Sequence, residues 1–346
     1  MRLNLLYIVL IAIFCCSCKN VKDESKSAEV VNLYSKRHYQ VDKDLFQKFE
    51  EEFNIKVNIV KASADELIER IVTEGESCPA DLILTVDAGK LYKAVEKKLL
   101  QKINPIEICS SINTNLIDNK GFWLPLTYRS RVIVYSNERV DKSDLSTYDD
   151  LVNEKWKGRI LVRPSSNAYN QALLSSIIAH HGSEYALDWC NKIVKNFARE
   201  PKGNDRDQVR AIAASVGDIA IVNSYYIGLL KNSSDSLDRE VAKSVSVFFP
   251  NQSENERGAH VNISGIGLLK NSPNTKNAKK LMRFLTSEYA QNYYASNSYE
   301  YPVNNLVQLS GTISEWGGFK MDSLDLNLLG SFRKQAVEIF EKSNWK

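Results

Sequence analysis

From Val30 onward, short apolar runs alternate with segments of helical spacing, and no other feature constrains the fold of this chain as strongly. Val30 to Tyr34 reads as a strand, Asp44 to Phe53 places Leu45, Phe46, Phe49 and Phe53 at helical spacing, and Ile55 to Val60 returns as a strand. Ala64 to Thr73 reads as a helix with Asp65 and Glu66 in its first turn, where acidic side chains suit the dipole. Asp81 to Val86 follows as a buried strand and Gly89 to Leu100 as a helix. This alternation implies largely parallel strands flanked by helices, with ligands beyond the carboxyl ends of the strands.

The second half repeats the pattern after an unusually long extended run, Trp123 to Tyr135, which suits a strand crossing between two lobes. Leu145 to Val152 is expected to be helical and Ile160 to Val162 a strand. Tyr169 falls in the next loop, ahead of an apolar helix from Gln171 to Ala179. Asp205 to Val216 reads as a helix, Ile219 to Val222 as a strand, and Asn223 to Leu230 as the start of another helix. His260 to Leu269 is a second crossing strand that brings the chain back. About 320 residues beyond the leader exceed the usual single domain, so two lobes are expected.

The first residues carry an address. After Met1-Arg2, an apolar run from Leu3 to Phe14 is interrupted only by Asn4 and leads to Cys15-Cys16-Ser17-Cys18 and a polar tract, Lys19 to Glu29. The run is too short for a permanent span, so residues 1–17 read as a secretory signal and 18–29 as a tether. A cysteine after such a run resembles a bacterial lipobox, with Cys18 fitting best although the upstream leucine is missing. Cys15 and Cys16 are alternatives. The expected location is outside the cytoplasmic membrane, periplasmic or cell-surface, held by lipid.

A net charge of +3 with no basic stripe gives nucleic acid no footing. Cys78, Cys109 and Cys190 remain beyond the leader, at no zinc-motif spacing, and read either as three thiols or as one disulfide and a thiol. No Gly-x-Ser-x-Gly elbow, phosphate-binding loop or His-Glu-x-x-His helix is present, which argues against catalysis. His180-His181 reads as solvent-facing, His260 as structural, and Glu50 to Glu52 as a solvated face.

The chemistry lies elsewhere. Arg37-His38-Tyr39 and Ser224-Tyr225-Tyr226 each set a donor side chain beside a phenol at a strand end, and Tyr169 stands in a loop between them. Each alone fits aromatic packing or a helix start. Together they form a hard, anionic donor set, and with an ordinary phenol pKa of about 10 only a strongly polarising cation such as Fe3+ makes such a cluster worthwhile at neutral pH.

At this point the chain resembles the ferric-iron-binding, solute-binding subunits of bacterial iron(III) ABC transporters, in the subgroup with one histidine and four tyrosines. The likeness runs from Asn32-Leu33-Tyr34-Ser35-Lys36-Arg37-His38-Tyr39 through Gly203-Asn204-Asp205-Arg206, Ile221-Val222-Asn223-Ser224-Tyr225-Tyr226 and Gly258-Ala259-His260-Val261-Asn262 to Tyr299-Glu300-Tyr301-Pro302-Val303. The resemblance implies a type II two-lobed periplasmic-binding-protein α/β fold, each lobe a mostly parallel sheet flanked by helices, with two crossing strands. Lobe 1 would comprise 30–127 and 259–304, and lobe 2 would comprise 128–258 and 305–346. It further implies that His38 and Tyr39 ligate Fe3+ from the first lobe and Tyr169, Tyr225 and Tyr226 from the second. Four phenolates against Fe3+ leave about one negative charge, so no synergistic anion is required, and Arg37, Arg129 or Arg131 can offset the residue. The implied partners of this monomer are a membrane permease and its ATPase. A binding protein for a polyamine or an oxyanion is the alternative.

Overall fold

The computed structural model describes residues 29–37 and 39–346; the leader, the tether up to residue 28, Cys18 and His38 lie outside them. In the first lobe the expected alternation is realised as β1 (Glu29–Ser35), α1 (Gln40–Phe53), β2 (Ile55–Lys61), α2 (Ala64–Glu74), β3 (Leu82–Thr85) and α3 (Ala88–Glu96). β1 pairs in parallel with both β2 and β3. Leu33, Phe49, Leu82, Trp123, Leu124 and Ile266 fill the core beneath this sheet. The helix expected to reach Leu100 stops at Glu96, because the chain turns at Lys98 through a positive φ of 57°.

β4 (Trp123–Ser136) is the crossing strand and is buried along nearly its whole length. Its first half pairs with β8 (Val261–Leu268), and its second half, from Arg131, pairs with β6 (Ile219–Asn223). A register shift between Pro125 and Thr127 bends it where it leaves the first lobe. β8 returns antiparallel to both β4 and β3, since a strand re-entering from the far lobe runs opposite to those that started there.

Between the crossings lie β5 (Ile160–Leu161), α4 (Ala168–Ile193), α5 (Asp205–Ala213), β6, α6 (Tyr225–Lys231), α7 (Ser236–Lys243) and β7 (Val245–Phe248). β5 and β6 are parallel. Ile133, Trp156, Ile177, Trp189 and Ile219 pack one face of this second sheet, and Val134, Ile212, Val222 and Leu230 the other. After β8 come α8 (Thr275–Leu285), α9 (Glu288–Ser298), β9 (Tyr301–Pro302) and the last long helix, α10 (Arg333–Lys342). Leu326 and Leu329 join the first-lobe core, whereas Ala336, Ile339 and Phe340 join the second.

Two expectations are corrected. Residues 145–152 do not form an α-helix; this stretch holds only a short 3-10 turn, Asp149–Val152. There the Thr147 hydroxyl accepts from the Asp150 N–H, and the Asp150 carboxylate accepts from Asn153 and the Trp156 indole. Such side-chain bonds compete with helix formation. Tyr169 is not in a loop but in the first turn of α4, whose N-cap Asn167 accepts the Tyr169 N–H at 3.0 Å. Cys78, Cys109 and Cys190 are all buried free thiols.

Candidate functional site

The carboxyl ends of β1, β5 and β6 face a common cleft, and each delivers its tyrosine at the start of a helix. Tyr39 is the N-cap of α1, Tyr169 lies in the first turn of α4, and Tyr225 and Tyr226 open α6. Tyr39 is fixed by its own turn: its N–H donates to Asp42 at 3.2 Å, and Asp42 in turn holds the buried Arg37 guanidinium at 3.0 Å. Arg37 also reaches Glu300 at 2.7 Å and Thr127 at 3.0 Å, tying the β1 end to the crossing strand. Tyr169 is placed by Asn170, whose side chain accepts from Arg131 of β4 at 2.7 Å and donates to the Arg163 carbonyl at 2.8 Å.

The four phenols meet. The Tyr169 and Tyr225 hydroxyls are 3.4 Å apart, the Tyr225 and Tyr226 rings lie 4.2 Å between centroids, and Tyr39 and Tyr225 line one cavity. Tyr225 is buried and the other three are half-buried. His38 precedes Tyr39 in the chain but lies outside the described residues, so its place in this cluster is not defined.

Without a metal, the environment keeps Tyr39, Tyr225 and Tyr226 protonated. Burial pushes Tyr39 up to about 12, with the Tyr169 and Glu300 charges adding to the effect and Arg37 opposing it. Burial also lifts Tyr225 and Tyr226 well above the ordinary phenol value, and the neighbouring tyrosines and Asp205 reinforce this. Mutual repulsion means that the cluster ionises only if a cation arrives at its centre.

Cationic support surrounds one member. The guanidiniums of Arg129, Arg163 and Arg131 stand 5.5, 5.7 and 5.9 Å from the Tyr169 ring centre. Arg131 and Arg163 share the buried carboxylate of Asp205, which also accepts the Asn223 N–H at 3.0 Å. Arg129 donates to the Val86 carbonyl, and its Nη1 has no partner among the described residues. Arg37, by contrast, is consumed by Asp42 and Glu300.

Arg163, Asp205 and Glu300 escaped the sequence reading as parts of the site. Asp205 and Glu300 lie in stretches that carry the family likeness, and Asp205 also follows Asn204 at the head of a helix; Arg163 had no signal. His180 is exposed as expected, although its ring meets Asp322 at 2.9 Å, and His260 is buried at the start of β8. Among the described residues no group of three or more His, Cys, Asp or Glu side chains could hold a metal, so the phenols are the donor set on offer.

The family model for bacterial extracellular solute-binding proteins matches residues 44–321. Iron uptake protein A2 of Synechocystis sp. is 44% identical over 93% of this chain and 92% of its own length. Among solved structures, FutA (IdiA) of Trichodesmium in complex with iron and citrate superposes with a TM-score of 0.87 at 44% identity, covering 92% of this chain and 100% of that one. The ferric-binding protein from Campylobacter jejuni gives a TM-score of 0.85 at 39% identity, with 91% of this chain and 100% of that one covered. Two lobes joined by crossing strands, a cleft at the strand ends and these matches lead to one assignment: the chain belongs to the bacterial extracellular solute-binding proteins, in their type II two-lobed fold, and groups with the iron uptake and ferric-binding members.

Proposed function

We propose that the chain is the substrate-binding component of an ABC importer, capturing Fe3+ in the interlobe cleft and handing it to a membrane permease powered by an ATPase. It is a carrier rather than an enzyme, as the family is, and works outside the cytoplasm. One observation carries the reading: four tyrosine side chains from three stretches far apart in sequence converge on one cleft. A small, highly charged cation gives four clustered phenols a reason to share one point.

The proposed ligands are Tyr39 and His38 from the first lobe and Tyr169, Tyr225 and Tyr226 from the second. Four phenolates and a neutral imidazole over-neutralise Fe3+ by one charge, which Arg129, Arg131 and Arg163 offset, so no synergistic anion is needed. The chain acts as a monomer anchored through acylated Cys18. A polyamine would need free carboxylates, and those nearest, Asp205 and Glu300, are both held by arginine.

Purified protein loaded with ferric iron should show a red-orange phenolate-to-iron absorption band that a chelator abolishes. Tyr225→Phe and Tyr226→Phe should each shift and weaken it. A colourless loaded protein, or a band indifferent to both changes, overturns the assignment.

A further inference from the structure

Helix α8 is two-faced. Ala278, Leu281, Met282, Phe284 and Leu285 are buried against the first-lobe core, while Lys276, Lys279, Lys280 and Arg283 point outward with no acidic residue in the helix. Among the described residues Lys276, Lys279 and Arg283 have no acidic partner, and Lys280 has only Glu29, at 3.9 Å. Beside the end of this helix the surface is apolar: Phe53 is 37% and Tyr289 is 52% exposed, and their rings lean on Phe284 at 6.1 and 6.3 Å. With Lys280 and Arg283 they line a groove of about 400 Å³, on whose rim stands Glu52.

The chain enters the fold at this spot. Glu29 pairs with Ile55, two residues past Phe53, and the Val30 carbonyl accepts from Asn277 of α8 at 3.1 Å. We propose that this face of the first lobe, α8 with Phe53 and Tyr289, rests on an anionic phospholipid bilayer while Cys18 anchors the chain; the proposal rests on the lipid-anchor reading above.

Three arguments select a lipid surface. Eleven residues from Cys18 to Glu29 span at most roughly 40 Å when fully extended, so the tether keeps this face near the headgroups and a weak affinity suffices. A basic helix face, with Lys276, Lys279 and Arg283 free of acidic partners among the described residues, beside exposed aromatic rings matches the chemistry of an anionic headgroup layer over acyl chains. The placement also suits the task. β1 runs from this pole to the cleft, about 23 Å away at 3.3 Å per residue, so a docked protein opens its tyrosines away from the membrane to incoming iron. Delivery then requires it to lift off and turn.

The test uses the acylated chain on vesicles of phosphatidylcholine with or without phosphatidylglycerol, with amine-reactive footprinting read by mass spectrometry. Labelling of Lys276 and Lys279 should fall about fivefold or more on the anionic vesicles, the scale of one surface cation's attraction, and recover at high salt. Lys231 and Lys243 of the second lobe should label equally on both. Phe53→Ser combined with Arg283→Gln should restore labelling of α8 while leaving the iron band unchanged, which confirms the fold. Co-sedimentation with equal labelling on the two vesicle types overturns the docking alone. Failure to co-sediment at all removes the anchor and the docking with it. Footprints unchanged by lipid but altered by an added permease would assign the face to a protein partner and also overturn the proposal.

Discussion

At the level of single residues, the site is a set of phenols that the fold holds neutral until a metal ionises them. Tyr39 has an ordinary value near 10 in the unfolded chain and about 12 in the metal-free fold. The fold therefore binds this proton more tightly, so its contribution to stability is intact below pH 10 and is lost as pH climbs from 10 to 12. Iron reverses the balance, since each ligated phenol must surrender its proton. Loading should thus release about four protons per iron, one from each of Tyr39, Tyr169, Tyr225 and Tyr226, as read in weakly buffered solution after correction for the iron source. A yield of two or fewer would reject the four-phenol set. Affinity must fall as the solution is acidified. Tyr225→Phe removes the phenol that touches Tyr39, Tyr169 and Tyr226; because losing even an outer-sphere partner costs 10- to 100-fold, affinity should drop by more than about 100-fold in competition with a chelator. His260 supplies a different acid sensitivity. Burial, with Arg257, Arg131 and Arg129 adding to it, depresses its imidazole to about 3. The unfolded chain takes up this proton below about 6.5 and the fold does not, so about 2 kcal/mol is lost at pH 5 relative to pH 7. In His260→Gln, the gap between urea-derived stabilities at the two pH values should shrink by that amount.

Elements explain what the sequence revealed and what it hid. Strands were legible because period and burial agree: Val30 to Tyr34, Ile55 to Val60 and Ile219 to Val222 are apolar runs between breakers, and each appears within one residue of the reading. The long run from Trp123 was legible as a crossing because its length exceeds what one lobe can pair. Tyr169 was misplaced because the start of α4 is set by an Asn167 side-chain bond rather than by apolar spacing. The missing helix at 145–152 reflects a tertiary demand on Tyr148. This buried phenol donates to the Arg131 carbonyl of β4 and accepts the His260 N–H, at 3.2 Å, at the head of β8. It bolts the two crossing strands together where the lobes meet, which no local pattern could announce. Tyr148→Phe leaves the His260 N–H buried without a partner and should cost about 1–3 kcal/mol in chemical denaturation. An unchanged midpoint would mean that the crossing strands hold without this bolt.

For the whole molecule, the question is what closes the cleft. Tyr39 of the first lobe touches Tyr225 of the second, and Tyr299 packs so closely on α6 that a Cβ at Gly228 would lie 2.4 Å from its ring. These contacts are modest: a hydrogen bond between neutral groups contributes only about 1 kcal/mol net. A metal that gains ligands from the first lobe only on closure favours the closed state by the whole worth of those ligands, and no smaller differential can drive such a shift. Stripping iron should therefore enlarge the radius of gyration measured by solution scattering, and reloading should reverse it. Tyr39→Phe separates capture from closure. Three phenolates of the second lobe remain, so the absorption band should persist, while compaction on loading should be reduced, since of the proposed first-lobe ligands only His38 is left. Equal compaction in this variant would show that iron draws the first lobe in without Tyr39, and would overturn its place in the ligand set.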